Sequence, residues 1–533
     1  MTVIQRGTGS RLFLSSVVCV SLLISLSVFH PYPYDNVVTR WGLAERLVAS
    51  GSIRIDEWAF LTGDKAEYQG HYYSDKSFLP SAVAALAVLP LKLSDCIDGP
   101  GEYPVGGAGR YAAERLTVTL AFLLLLFLLR KKGEREGEDP VLPVLAAGLG
   151  SILLPYSTLL YTHVPAALLI FSCYCAQSRG RFLASDVLGG LAVAYEYTLV
   201  LPFLVLLAYR DRSYWSATRA ARAALLPVLV FIPQLVHNWI AFDNPLSMGY
   251  GLEAEGSFPV VSRGFFGFTF PSFHRLYLIL LSPERGILFY MPWAVLGLWG
   301  LMGGSHWRRR VRSDPLPVLV LSYILLYSAQ NAATAGWAYG QRYLIPMIPF
   351  LALGLGRFSG GSAGRRSAAA LAILPGVVIS LLGVFGEVHM PVHPVENPVP
   401  LPQMNISLSM MLSGHHSTWL LGSIGAVTLS TAAVVCSLIL IRRSGFRLAG
   451  LAWLPIWLIL AVISQTEDWG GRIDYYRGIL AQHRGEWELA AGYYGRALED
   501  ENAPEVVRTR LIYVRSQAGA GGEGTSVPRS GVD

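Results

Sequence analysis

Charge is scarce in this chain. Of its 533 residues only 15% are Asp, Glu, Lys or Arg, whereas soluble domains carry roughly 25%. That deficit excludes an ordinary solvated globule. Cysteine is scarce as well: Cys19, Cys96, Cys173, Cys175 and Cys436 are the full set. Four of the five lie in apolar runs and read as packing residues. Cys173 and Cys175 are two apart, so they fall on different faces of a helix. No second Cys/His pair completes a zinc set. A Gly-rich phosphate loop is also missing, and with it the usual signature of a nucleotide site. The two halves of the chain share no internal repeat of the kind many transporters show.

Apolar residues fill the space that charge leaves. They make up 53% of the chain, and the mean hydropathy is +0.43. Runs of about 17–25 apolar residues recur, the length that crosses about 30 Å of hydrocarbon. The pattern predicts an all-α polytopic membrane protein with thirteen spans. They lie near 12–30, 111–129, 140–158, 163–178, 183–195, 197–209, 220–240, 286–303, 315–330, 343–356, 367–386, 417–441 and 447–463. The first run has no small-x-small cleavage site after it, so it reads as a retained span rather than a signal peptide.

The net charge of +6 does not point to nucleic acid, because the basic residues sit in short loops between the runs. With Arg6 and Arg11 inside, the loops at Arg130–Arg135, Arg179 and Arg181, Arg210–Arg222, Arg308–Arg312, Arg365 and Arg366, and Arg442–Arg447 all fall on the cytoplasmic side. This is the positive-inside pattern. It holds only if residues 78–93, SFLPSAVAALAVLPLK, do not cross. That run is short and carries two prolines, so it is expected to lie at the outer face. The first external loop then spans about 31–110, far longer than most connections. Long structured loops of this kind carry function.

That loop opens PYPYDNVVTRWGLAERLVASG. Asp35 follows the first span directly, and Val38, Leu43 and Leu47 have the spacing of a helix face ending at Gly51. LTGDKAEYQGHYYSDKSFLP follows, with His71, Tyr73, Asp75 and Lys76 just before the surface run. Asp35 and Lys76 are each tied to the edge of an apolar helix and can meet over one lipid headgroup. Asp56, Glu57, Asp64 and Glu67 read as solvated loop charges.

The order of first span, Asp, amphipathic helix and Lys-containing motif resembles the integral-membrane GT-C glycosyltransferases that use polyprenyl-phosphate sugars. The protein O-mannosyltransferase and lipid A aminoarabinose transferase branch is the most similar. Where that branch has NG-x-x-Y-x-x-K-P-P, this chain has QGHYYSDKSFLP. Asn36 stands where the family usually has the Glu of an Asp-Glu pair, and Ser77 replaces the first Pro. The Asn weakens any case for a divalent metal held by paired acids, and no cofactor is otherwise expected. The resemblance implies that Asp35 is the general base and that Lys76 contacts the carrier phosphate. His163 stands where the family commonly has an Asp in its second external loop, a place to orient the acceptor. The resemblance further implies an active site on the external or periplasmic face of the cytoplasmic (inner) membrane. The donor would be a polyprenyl-phosphate sugar, and the acceptor a lipid, glycan or protein.

Other ionisable groups lie at the same level. Glu196 separates two short apolar runs, and an ionisable residue at such depth is a functional candidate. If the two runs were one helix, Glu196 would lie near mid-membrane instead. Tyr250, Glu284, Arg285, Trp337, Tyr339 and Arg342 stand in later external loops. Aromatics of this kind stack on a sugar face, and Arg holds phosphate bidentately. Segment 389–405 has two His four apart, but its prolines preclude a helical metal site. Residues 1–464 therefore form the membrane domain. Residues 465–517 form a polar helical tail in which Gly485, Trp487, Ala490, Tyr494 and Ala497 follow tetratricopeptide spacing, a possible site for a protein partner. Residues 518–533 have a disordered composition. A transporter or flippase of a lipid-linked or anionic solute, and a non-catalytic envelope scaffold, are the rival classes.

Overall fold

A computed structural model describes residues 3–30, 34–94, 107–252, 267–282, 285–332, 335–336 and 338–385, with 474–475, 478, 481–482, 486–499 and 505–519 of the tail. The expected spans at 417–441 and 447–463, segment 389–405, Glu284 and Trp337 lie outside the described residues.

Among the described residues the fold is all-α apart from one hairpin. Among the described residues three helices are long and apolar enough to cross a membrane: Gly107–Glu136, Ala217–Phe242 and Ala363–Phe385. Shorter apolar helices pack among them, including His163–Gln177, Phe182–Tyr195, Trp293–Met302 and Pro315–Tyr327. Helix–helix packing is closest where Trp293–Met302 crosses Ile348–Ser359. There Gly297, Gly300 and Gly354 leave no room for a Cβ on either side, the small-residue crossing common in membrane bundles.

Two expected spans are not single helices. The run 140–158 breaks into Val141–Gly148 and Leu153–Tyr156. The gap is held open because the freed carbonyl of Gly150 accepts the indole N–H of Trp293 at 2.6 Å. The run 286–303 likewise breaks at Met291–Pro292, between Ile287–Tyr290 and Trp293–Met302.

The polar first loop is built on four elements. Helix α1 (Val3–Ser27) leads out to α2 (Asp35–Ser50). Helix α2 ends in the left-handed Gly51, whose N–H returns to the Leu47 carbonyl at 3.2 Å. It is buried over a wider arc than its pattern suggests: Val37, Val38, Trp41, Leu43 and Ala44 are all in the core, with Arg40 and Glu45 beside them. Strands β1 (Lys65–Tyr68) and β2 (His71–Ser74) pair antiparallel, Lys65 opposite Ser74. Gln69 and Gly70 both have positive φ, 51° and 77°, the two-residue turn that matches strand twist. The side chain of Gln69 donates to Asp243 at 3.0 Å, pinning the tip to the end of helix Ala217–Phe242. Helix α3 (Phe78–Val88) follows. Its 11 residues run on directly into the 3-10 helix Leu89–Ser94.

Candidate functional site

The hairpin delivers Asp64, Asp75 and Lys76 to the N-terminus of α2. Lys76 Nζ stands 2.5 Å from Asp75 Oδ2 and 3.3 Å from Asp64 Oδ2, with the Tyr250 ring 4.8 Å away. All three charged side chains are buried. Asp35, half-buried in the first turn of α2, accepts the Gly63 N–H at 2.6 Å. Its carbonyl accepts the Thr62 hydroxyl at 3.0 Å. These contacts fix the carboxylate of Asp35 against the segment that carries Asp64.

Asn36 has a defined job here. Its amide N–H donates to Asp64 at 3.2 Å, while its oxygen accepts from Arg40 Nε at 3.1 Å. An amide can do both at once; a carboxylate only accepts. A Glu at this position would set two like charges together. Ser77 is similarly accounted for: its hydroxyl donates to the Tyr195 carbonyl at 3.1 Å, tying the Lys76 motif to the helix that precedes Glu196.

Burial pushes the Asp35 carboxyl up to about 6, and the neighbouring charge of Asp64 adds to the rise. Asp75 is also pushed up to about 6, by burial first, with Lys76 pulling the other way. Burial works against the charge of Lys76, but Asp64 and Asp75 outweigh it and hold the ammonium well above its ordinary pKa. Lys76 is therefore a fixed cation.

A second group of side chains adjoins the first. Helix Phe182–Tyr195 stops at Glu196, whose extended backbone (φ −145°, ψ 104°) separates it from Val200–Ala208. The two runs are thus separate helices, and Glu196 lies at their junction. Its carboxylate stands 3.3 Å from His163 Nδ1 and accepts the Thr162 hydroxyl at 3.0 Å. The imidazole is boxed by Tyr161, Tyr156 and Tyr343. The Arg342 guanidinium lies over the rings of Tyr161 and Tyr343, at 5.2 and 5.5 Å. Arg40 acts electrostatically on Asp75, His163 and Glu196, and so joins the two groups. Arg40 Nη1 and Arg342 Nε are both buried with no hydrogen-bond partner.

Other expected site residues lie elsewhere. His71 lies next to the hairpin turn, partly exposed and 2.9 Å from Asp56. Tyr73 packs edge-on against Phe242, 5.5 Å between centroids. Tyr339 is fully buried; its hydroxyl donates to the Ile379 carbonyl at 2.7 Å and its ring meets Tyr290. It is a packing residue. Arg285 is buried and donates to the Gly336 carbonyl, which steadies the loop leading to Arg342.

Two members were not legible as site residues. Asp64 is not a solvated loop charge but the central acid of the cluster. Arg40 sits inside α2, where the spacing shows only one more basic residue on a helix. Its one local sign is the i, i+4 relation to Asn36. Among the described residues no group of three or more His, Cys, Asp or Glu side chains converges as a metal set.

No family model matches the chain, and no curated protein matches it in sequence. Two solved structures are similar to it in fold. Both are crystal structures of ArnT from Cupriavidus metallidurans. The one bound to undecaprenyl phosphate is 14% identical with a TM-score of 0.46, covering 81% of this chain and 77% of that one. The apo form is 15% identical with a TM-score of 0.47, covering 86% and 76%.

Proposed function

We propose that this protein is a membrane glycosyltransferase that moves a sugar from a polyprenyl-phosphate carrier to an acceptor hydroxyl at the outer membrane face. The observation that carries the reading is the gathering of three cations, Lys76, Arg40 and Arg342, around Asp75, His163 and Glu196. Leaving a buried donor unsatisfied costs about 1–3 kcal/mol, and Arg40 and Arg342 each keep one. Both flank His163 and Tyr161, and Lys76 completes a third fixed positive charge nearby. A phosphate oxyanion satisfies such donors.

The chemistry follows from the placement. Asp35 takes the proton of the acceptor hydroxyl. The oxygen forms a bond to the anomeric carbon as the bond from that carbon to the carrier phosphate breaks. The electron pair leaves on the phosphate, where Lys76, Arg40 and Arg342 stabilise it. A single displacement of this kind inverts the anomeric centre. Glu196, itself held by the Thr162 hydroxyl, stands on the Nδ1 side of His163, so the imidazole can orient the acceptor through its other nitrogen. The Tyr250 ring stands 4.8 Å from Lys76 Nζ.

Transfer is tested with the full chain in nanodiscs, using a panel of polyprenyl-phosphate sugars. Release of free polyprenyl phosphate on addition of acceptor lipids or glycans, lost in Asp35→Asn, is the expected result. A wild-type protein that neither binds polyprenyl phosphate nor alters the envelope glycans of cells that lack it would overturn the reading. The outer-face placement is tested by reporter fusions: one near residue 60 should read external and one after Arg135 cytoplasmic.

A further inference from the structure

The end of the bundle remote from Lys76 carries a second feature that the transfer reaction does not use. Helix Trp293–Met302 ends at Gly303 and Gly304, both left-handed, with φ of 70° and 57°. Two consecutive residues of that kind reverse the chain sharply, which only glycine does without strain. The short helix Trp307–Ser313 follows the turn, with Arg310 Cγ 3.5 Å from the position a Cβ would take at Gly303. The end of the first helix, the turn and Trp307 form an apolar groove of about 490 Å³, lined by Val295, Leu298, Trp299, Met302, Gly304 and Trp307. Trp299 is 60% exposed and Trp307 47%.

At the mouth of the groove the sequence reads WRRRVR. Arg310 stands 3.6 Å from Asp314, but that carboxylate is already held by Arg357 at 2.7 Å. Arg308, Arg309 and Arg312 are exposed and have no carboxylate partner among the described residues. Arg308 lies over the Trp307 ring, 5.5 Å from its centroid. An apolar slot walled by two tryptophans thus leads, through Trp307, into a segment with three unneutralised guanidinium groups.

We propose that this groove is a binding site for one anionic phospholipid, with an acyl chain along Leu298 and Trp299 and the phosphodiester on Arg308 and Arg309. Charge complementarity selects the occupant. Guanidinium groups are weakly hydrated and grip phosphate oxygens in pairs. Tryptophan belongs at the depth where chain meets headgroup. A basic loop without a groove attracts anionic lipid only diffusely. Arg365 and Arg366, in the first turn of helix Ala363–Phe385, are a second basic pair and serve as the internal comparison.

The test is native mass spectrometry of the full chain in detergent, titrated with phosphatidylglycerol or phosphatidylcholine. One phosphatidylglycerol should be retained at least tenfold more tightly than phosphatidylcholine. Each basic residue at a membrane surface contributes about fivefold, so Arg308→Gln with Arg309→Gln should remove on the order of tenfold or more of that preference. Arg308→Lys with Arg309→Lys should retain part of it, and Trp307→Ala should lose the retained lipid with every arginine in place. Arg365→Gln with Arg366→Gln, matched in charge, should leave it unchanged. Equal retention of the two lipids by the wild type overturns the proposal, and so does an equal loss in both Gln pairs.

Discussion

Asp64 Oδ2 stands 3.3 Å from Lys76 Nζ, and both side chains are more than nine-tenths buried. Twelve positions and a hairpin turn separate them in sequence. Asp75 closes on the same ammonium at 2.5 Å, so one cation is shared by two carboxylates away from water. Such a set is stable only when complete, because each charge is solvated by the others.

Lys76→Ala should therefore fail twice. It leaves Asp64 and Asp75 buried without a cation, which costs about 3–5 kcal/mol of stability, and it removes a phosphate contact. Asp64→Asn combined with Lys76→Met should recover much of the stability and none of the turnover. Thermal melting and single-turnover transfer separate the two effects. A Lys76→Ala protein with wild-type melting and transfer would reduce Lys76 to a surface charge.

Turnover should rise with pH through about 6. A general base works only as the carboxylate, and burial with the Asp64 charge sets the Asp35 carboxyl at about 6. Below that pH Asp35 holds its proton and the rate falls. Asp75 has a similar value, so Asp75→Asn is the control: the acid limb should survive in it. Asp35→Asn should lose about 10²–10⁴-fold at every pH. An acid limb that vanishes with Asp75 instead would move the base.

The carboxylate of Glu196 should matter for its charge as well as its place. Glu196→Gln keeps an acceptor for Thr162 but removes the charge 3.3 Å from His163. We expect about a tenfold drop in turnover with little change in donor affinity, and a larger drop in His163→Ala. If Glu196→Gln leaves both turnover and its pH profile unaltered, the pair is structural only.

Gly249→Ala should damage the site without touching a charge. A Cβ at Gly249 would meet the Asp75 Cα at 2.5 Å, and backbone cannot give way as a side chain does. The segment with Tyr250 would lift off the hairpin. A cost of about 1–3 kcal/mol and weaker donor binding are expected. Gly251→Ala, with nothing within 4 Å of its Cβ position, should be neutral. Equal melting temperatures for the two variants would contradict this packing.

The local features of the chain were readable because they rest on local physics. Apolar run length reports transfer into hydrocarbon, and it marked the long apolar helices Gly107–Glu136, Ala217–Phe242 and Ala363–Phe385. Gly51 marked the end of α2. Asp35 and Lys76 stood out because each charge adjoins an apolar helix. What failed at this level was any judgement about a charge whose partner is distant. Asp64 and Arg40 look like solvated residues, since burying a lone charge is expensive. For Asp64 the cost is offset by Asn36 at 3.2 Å and Lys76 at 3.3 Å, which the hairpin and the start of α2 bring together. The break at Gly150 has the same origin, for a freed carbonyl is tolerated where the Trp293 indole arrives to meet it. His163 and Glu196, on different helices, were each visible alone. Only the packing of those helices made them a pair.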